Sequence, residues 1–86
     1  MSIAELVSTD PCTGEAIWAG PVGGVAAAVA RARAAAPGWA RLPLDRRIAI
    51  VRAFKAAVEA EAEDFACLIA LETGKPLWET RTEVAS

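Results

Sequence analysis

There is no histidine in this chain, and its only two cysteines, Cys12 and Cys67, lie outside any C-x-x-C spacing. Zinc sites draw on cysteine and histidine at short regular intervals, so a zinc centre is not expected. Met1-Ser2-Ile3-Ala4-Glu5 lacks the charged and apolar regions of a signal peptide, and no apolar run approaches membrane-spanning length. The expected compartment is therefore the cytoplasm, where a structural disulfide is not expected either. No basic run is present and the net charge is −2, which argues against nucleic acid as a partner. The glycine pair Gly23-Gly24 is not framed by a G-x-G-x-x-G or G-x-x-x-x-G-K-[ST] pattern. It reads as a linker with Gly24 as a helix cap, not as a phosphate loop. Length is also scarce: 86 residues suffice for one small domain and not for a full-sized enzyme.

What is present is apolar and rich in alanine. Hydrophobic residues make up 55% against 23% charged, which excludes a disordered tail. Alanine buries little area per residue, so the expected core is thin and needs something else to pack against. The predicted class is mainly α, about four helices preceded by a short β-hairpin. The hairpin is expected over 6–19, with Asp10-Pro11-Cys12-Thr13-Gly14-Glu15 as its turn. A first helix is expected over 25–36, with Val25, Ala28, Val29, Ala32 and Ala36 on one stripe and Pro37-Gly38 as its stop. A second is expected over 43–60, opened by Pro43, with Ile50, Val51, Phe54, Ala57 and Val58 on its apolar face.

A third helix is expected over 63–73 after the polar hitch Glu61-Ala62-Glu63-Asp64. Phe65, Leu68 and Ile69 form its face, widened by Cys67 and Leu71, so it is expected to be buried almost all round. Glu72-Thr73-Gly74-Lys75-Pro76 is a helix stop followed at once by a start. Gly74 suits a left-handed position, Lys75 suits the negative end of the helix dipole, and Pro76 suits a first turn. The fourth helix, 76–86, carries the stripe Leu77, Trp78, Arg81, Val84 and Ala85 and shows no stop signal, as expected of a chain cut short.

Two charges interrupt apolar faces. At about 100° per residue, Arg47 falls between Val51 and Phe54, and Glu72 falls on the Phe65–Leu68–Ile69 face. Each side chain can snorkel at a helix end. Alternatively the two helices pack antiparallel and Arg47 meets Glu72 as a buried bidentate pair. Arg47, Glu72, Gly74 and Pro76 are thus the expected structural residues. Trp18, Trp39 and Trp78 exceed what so small a core can bury, so an exposed apolar patch is expected.

The ordered set of phrases carries a resemblance. Asp10-Pro11-x-Thr13-Gly14-Glu15, the alanine helix running into Pro37-x-Trp39-Ala40-Arg41-Leu42, Arg47 and Glu72-Thr73-Gly74-Lys75-Pro76 resemble, in order, the N-terminal part of aldehyde dehydrogenases. Ile17-Trp18-x-Gly20 and Leu77-Trp78-Glu79-x-x-Thr82-Glu83-Val84 are most similar to the branch acting on succinylglutamate semialdehyde in bacterial arginine catabolism. The resemblance covers nearly the whole chain from Val7 on. It departs from the family in lacking room for an extra hairpin before the turn and in a short Gly23-Gly24 linker.

The resemblance implies that residues 1–86 are the N-terminal segment of an α/β enzyme, truncated before its cofactor loop and catalytic domain. NAD or NADP would serve the intact enzyme and none would bind this segment. The partners would be the remainder of the chain and further copies in a homo-oligomer. In that family a cysteine thiolate in a G-Q-x-C context attacks the aldehyde, and hydride passes to the nicotinamide. Neither Cys12 nor Cys67 has that context, so no catalytic and no cofactor-binding residue is expected here. By position, Thr9 and Glu72 are candidates for a structural monovalent cation, and Trp78, Arg81 and Glu83 for the substrate entrance. The other reading is a free-standing helical interaction module without enzymatic activity.

Overall fold

The computed structural model describes residues 5–86, as a two-stranded hairpin followed by four helices. The elements are β1 (Glu5–Thr9), β2 (Ala16–Pro21), α1 (Val25–Arg41), α2 (Leu44–Ala60), α3 (Ala62–Thr73) and α4 (Leu77–Ala85). They form two units. One contains residues up to Val22 together with Ala57–Ser86, and the other contains Gly23–Ala56.

In the first unit β1 and β2 run antiparallel, pairing Glu5 with Pro21 and Ser8 with Trp18. Thr9 then pairs with Ala16, so Ile17 is the extra residue of a bulge. The turn is held by its own backbone: Asp10 N–H donates to Glu15 O at 2.9 Å, and Gly14 N–H donates to Asp10 O at 2.8 Å. Gly14 adopts φ +77°, which only a residue without a Cβ takes readily. Cys12 N–H donates to Asp10 Oδ1 at 2.8 Å, an Asx turn that fixes where the cysteine sits.

The contact that builds a core is α3 against α4. Among the described residues only Ala66 and Thr80 are buried. Ala62, Ile69 and Ala70 on α3, and Leu77 and Val84 on α4, are half-buried around them. This corrects two expectations. α3 is not buried all round: Phe65 and Leu68 are each 39% exposed and Leu71 49%. Its packed stripe is the small-residue side, Ala62-Ala66-Ile69-Ala70, because small side chains let the backbone of α4 come close. On α4 the packed stripe is Leu77-Thr80-Val84, not Leu77-Trp78-Arg81-Val84-Ala85, and Trp78 is 68% exposed. Thr80 can take the central place because its hydroxyl finds an acceptor. Its Oγ1 donates to Ala66 O at 2.8 Å, with Leu77 O an alternative acceptor at 3.1 Å.

In the second unit, α1 does not stop at Ala36. It continues through Pro37 to Arg41. Proline fits helical φ and forfeits one hydrogen bond. That loss is tolerable here because no residue of α1 is buried, so water can serve the freed carbonyl. The stripe Val25, Ala28, Val29, Ala32 and Ala36 is accordingly exposed. Gly24 caps the helix as expected, accepting from Ala28 N–H at 3.1 Å. Pro43 lies just before α2, and its carbonyl accepts from Arg46 and Arg47 N–H at 3.0 and 3.2 Å. No residue of α2 is buried. Trp39, Leu44, Arg47, Ile48, Val51 and Arg52 line a shallow depression of about 360 Å³.

Candidate functional site at the helix corner

The Thr73–Pro76 corner is where the sequence signals are densest, and in the structure the hairpin turn reaches it. Gly74 has φ +76°, and its N–H donates to Ala70 O at 2.9 Å, closing α3 in the left-handed conformation expected. A Cβ on Gly74 would lie 3.3 Å from Pro11 Cγ and 3.9 Å from Cys12 Sγ, so the missing side chain also makes room for the turn. Thr73 Oγ1 donates to Ile69 O at 2.7 Å and accepts Lys75 N–H at 3.2 Å. Pro76 is extended, with ψ 146°, so it caps α4 instead of forming its first residue. Its carbonyl accepts Glu79 and Thr80 N–H at 3.0 and 3.2 Å.

Two ion pairs brace the corner. The Lys75 ammonium pairs with Glu83, which raises the lysine above its usual 10.5 through that hydrogen bond. Arg81 Nη2 lies 2.6 Å from Glu63 Oε1, and its Nε donates to both Glu63 oxygens at 3.2 and 3.1 Å. This forked bond lowers Glu63 below its usual 4.5 and raises Arg81 above its ordinary value. Both pairs are exposed, so they orient side chains more than they hold the fold.

Between turn and corner lies an open groove of about 470 Å³, lined by Asp10, Cys12, Cys67, Ala70, Leu71, Gly74, Lys75 and Leu77. Cys67 was expected on a buried face and is exposed, because α3 turns its alanine side inward. The expected entrance residues are thus divided. Trp78 projects to solvent, whereas Arg81 and Glu83 are each tied to another residue of this unit. Thr9 ends β1 and is exposed, and Glu72 is half-buried near the end of α3. Among the described residues no group of three or more cysteine and carboxylate side chains is placed to hold a metal ion. Arg47 and Glu72 belong to different units. Within its own unit Arg47 is half-buried and its Nε donates to Leu42 O at 3.2 Å. Sequence reasoning missed Thr80. Its signal was the spacing Leu77, Thr80, Val84, which is also helical but has a polar residue at its centre.

The aldehyde dehydrogenase family profile matches residues 2–86, and the chain belongs to that family. Over all 86 residues it is 54% identical to an N-succinylglutamate 5-semialdehyde dehydrogenase of Novosphingobium aromaticivorans, covering 100% of this chain and 18% of that protein. It is 55% identical over 82 residues to the enzyme of the same name from Sphingopyxis alaskensis, covering 95% of this chain and 17% of the relative. It is 49% identical over 86 residues to N-succinylglutamate 5-semialdehyde dehydrogenase 2 of Caulobacter vibrioides, covering 96% of this chain and 18% of the relative. The chain thus spans less than a fifth of the length of these relatives.

Proposed function

We propose that the chain is the N-terminal segment of an NAD(P)-dependent aldehyde dehydrogenase that oxidises N-succinylglutamate 5-semialdehyde to a carboxylate in the cytoplasm. The observation that carries this reading is the 54% identity over the whole chain to a relative of that name. In the intact enzyme the dinucleotide supplies the hydride acceptor. The corner groove does not fit that group. Its lining is mostly apolar, its carboxylate is Asp10, and its one ammonium, Lys75, is engaged by Glu83. The segment's work is therefore architectural, and by itself it is inert. α3 and α4 form a braced corner, and Trp78, Arg81 and Glu83 on α4 stay with this reading as candidates for the substrate entrance. Thr9 and Glu72 stay with the same reading as cation candidates. Arg47, Glu72, Gly74 and Pro76 stay with it as structural residues of the intact homo-oligomeric enzyme.

A chimera tests this. This chain replaces the matching 18% of the Novosphingobium aromaticivorans relative, and oxidation of N-succinylglutamate 5-semialdehyde is followed by nicotinamide absorbance. The chimera is expected to retain the activity, and the isolated chain to show none. A chimera with native helicity that leaves this semialdehyde untouched but oxidises another would overturn the substrate assignment.

A further inference from the structure

We propose that the outward face of α2 in one copy of this chain docks on the outward face of α3 in a second copy, with apolar side chains at the centre and arginines set against carboxylates around them. On α2, Leu44, Ile50, Val51 and Phe54 are exposed. At about 100° per residue they fall on one side of the helix, with Arg47 among them and Arg46 and Arg52 at its two edges. On α3, the side turned away from Ala66 and Ala70 carries Phe65, Leu68 and Leu71, all exposed. The same side carries Asp64 and Glu72, with Glu61 at its cap. Glu63 lies on the opposite side, where Arg81 engages it. The two faces are thus alike in apolar content and opposite in charge.

The segregation of charge extends to the two units. The basic side chains other than Lys75 and Arg81 all lie within Gly23–Ala56, where Asp45 is the one acid, and every other acid lies in the first unit. Unlike units of two copies therefore attract and like units repel, which selects the pairing of α2 with α3 over α2 with α2. The lengths agree as well, since Leu44 to Phe54 and Glu61 to Glu72 each span about 15–17 Å of helix. An anionic surface such as lipid or nucleic acid would use the basic face but would repel α3 and leave its apolar side chains bare. A second copy covers both. The inference does not depend on which aldehyde the intact enzyme oxidises, and its test reads assembly instead of oxidation.

The test is a charge swap on the 86-residue chain, followed by sedimentation velocity, with helicity checked by circular dichroism. One variant carries Arg46→Glu with Arg52→Glu, and the other carries Glu61→Lys with Glu72→Lys. The native chain is expected to associate with rising concentration and to dissociate with added salt. Each variant alone is expected to associate at least about tenfold more weakly, because like charges then face each other. An equimolar mixture of the two is expected to recover association, with one labelled variant sedimenting together with the other. Should a reversed chain lose helicity, Arg46→Gln with Arg52→Gln and Glu61→Gln with Glu72→Gln replace the pair, and their association is expected to lose most of its salt dependence. The proposal is overturned if the mixture associates no better than its components, if the reversed variants associate like the native chain, or if the neutral variants keep the native salt dependence. A native chain that stays monomeric and instead floats with phosphatidylserine vesicles would overturn it in favour of a lipid surface.

Discussion

Thr80 is the residue on which the packed part of the chain turns. Its side chain is fully buried between two helices, and its hydroxyl donates to a carbonyl of the neighbouring helix. Thr80→Val keeps the shape and removes the donor, so it should lower unfolding stability by about 1–2 kcal/mol, read from urea unfolding by circular dichroism. Thr80→Ser should recover part of the loss, and an unchanged midpoint in the valine variant would show that the hydroxyl adds no net stability. Gly74 is the second such residue. Gly74→Ala forces a Cβ into the left-handed region, at about 1–2 kcal/mol, and sets it 3.3 Å from Pro11 Cγ. The variant should lose stability and loosen the hairpin turn, seen as faster labelling of Cys12 by a maleimide. Of the two, Gly74 was legible beforehand because a helix stop before Lys-Pro demands it. Thr80 was not, because a threonine between Glu79 and Arg81 carries no apolar signal, and only the neighbouring carbonyl makes its burial affordable.

At the scale of elements, the number, order and type were legible, since periodicity and punctuation agree along most of the chain. The errors lie where two physical effects compete. Pro37-Gly38 reads as a stop, yet α1 continues to Arg41 because a fully exposed helix can lose a hydrogen bond to water. On α3 the large residues read as core in the sequence, whereas close packing on α4 selects the alanines. The same packing aligns Glu63 with Arg81 and Lys75 with Glu83, pairs that no single-helix pattern predicts.

These pairs give the α3–α4 element a defined pH response. Glu63 is lowered in the folded state, chiefly by the Arg81 hydrogen bond. Its contribution is present above its ordinary 4.5 and is lost as pH falls through the lower folded value. Lys75 is raised, chiefly by Glu83, so its contribution is present below 10.5 and is lost as pH rises through the higher folded value. Thermal stability should therefore fall at both extremes. Glu63→Gln should flatten only the acid limb and Lys75→Met only the alkaline limb. Both effects should shrink in high salt, since the groups are exposed. Limbs unchanged in the two variants would show that the pairs do not form in solution.

For the whole molecule the governing fact is how much apolar surface stays open. Leu44, Ile50, Val51 and Phe54 are 63, 50, 56 and 70% exposed, so α2 presents a continuous apolar side. Trp18 and Trp39 add 44 and 41%. Soluble monomers rarely leave such a run uncovered, and a chain spanning 18% of its relative's length is a reason for it here. The purified chain should bind a hydrophobic dye and self-associate, and replacing Ile50, Val51 and Phe54 together by serine should reduce both while helicity persists. A monodisperse monomer that ignores the dye would mean this face is covered within the chain itself. The same reasoning sets the expected activity. Oxidation needs the aldehyde carbon and the hydride acceptor held together in near-attack geometry beside an activated thiolate. In this chain the thiols line an open groove with Asp10 bound to the turn backbone, and Glu63 and Glu83 are committed to ion pairs. The isolated chain should leave N-succinylglutamate 5-semialdehyde unoxidised with either NAD+ or NADP+. Turnover by the short chain that disappears in Cys12→Ser or Cys67→Ser would make that thiol a nucleophile and overturn the architectural reading of the segment.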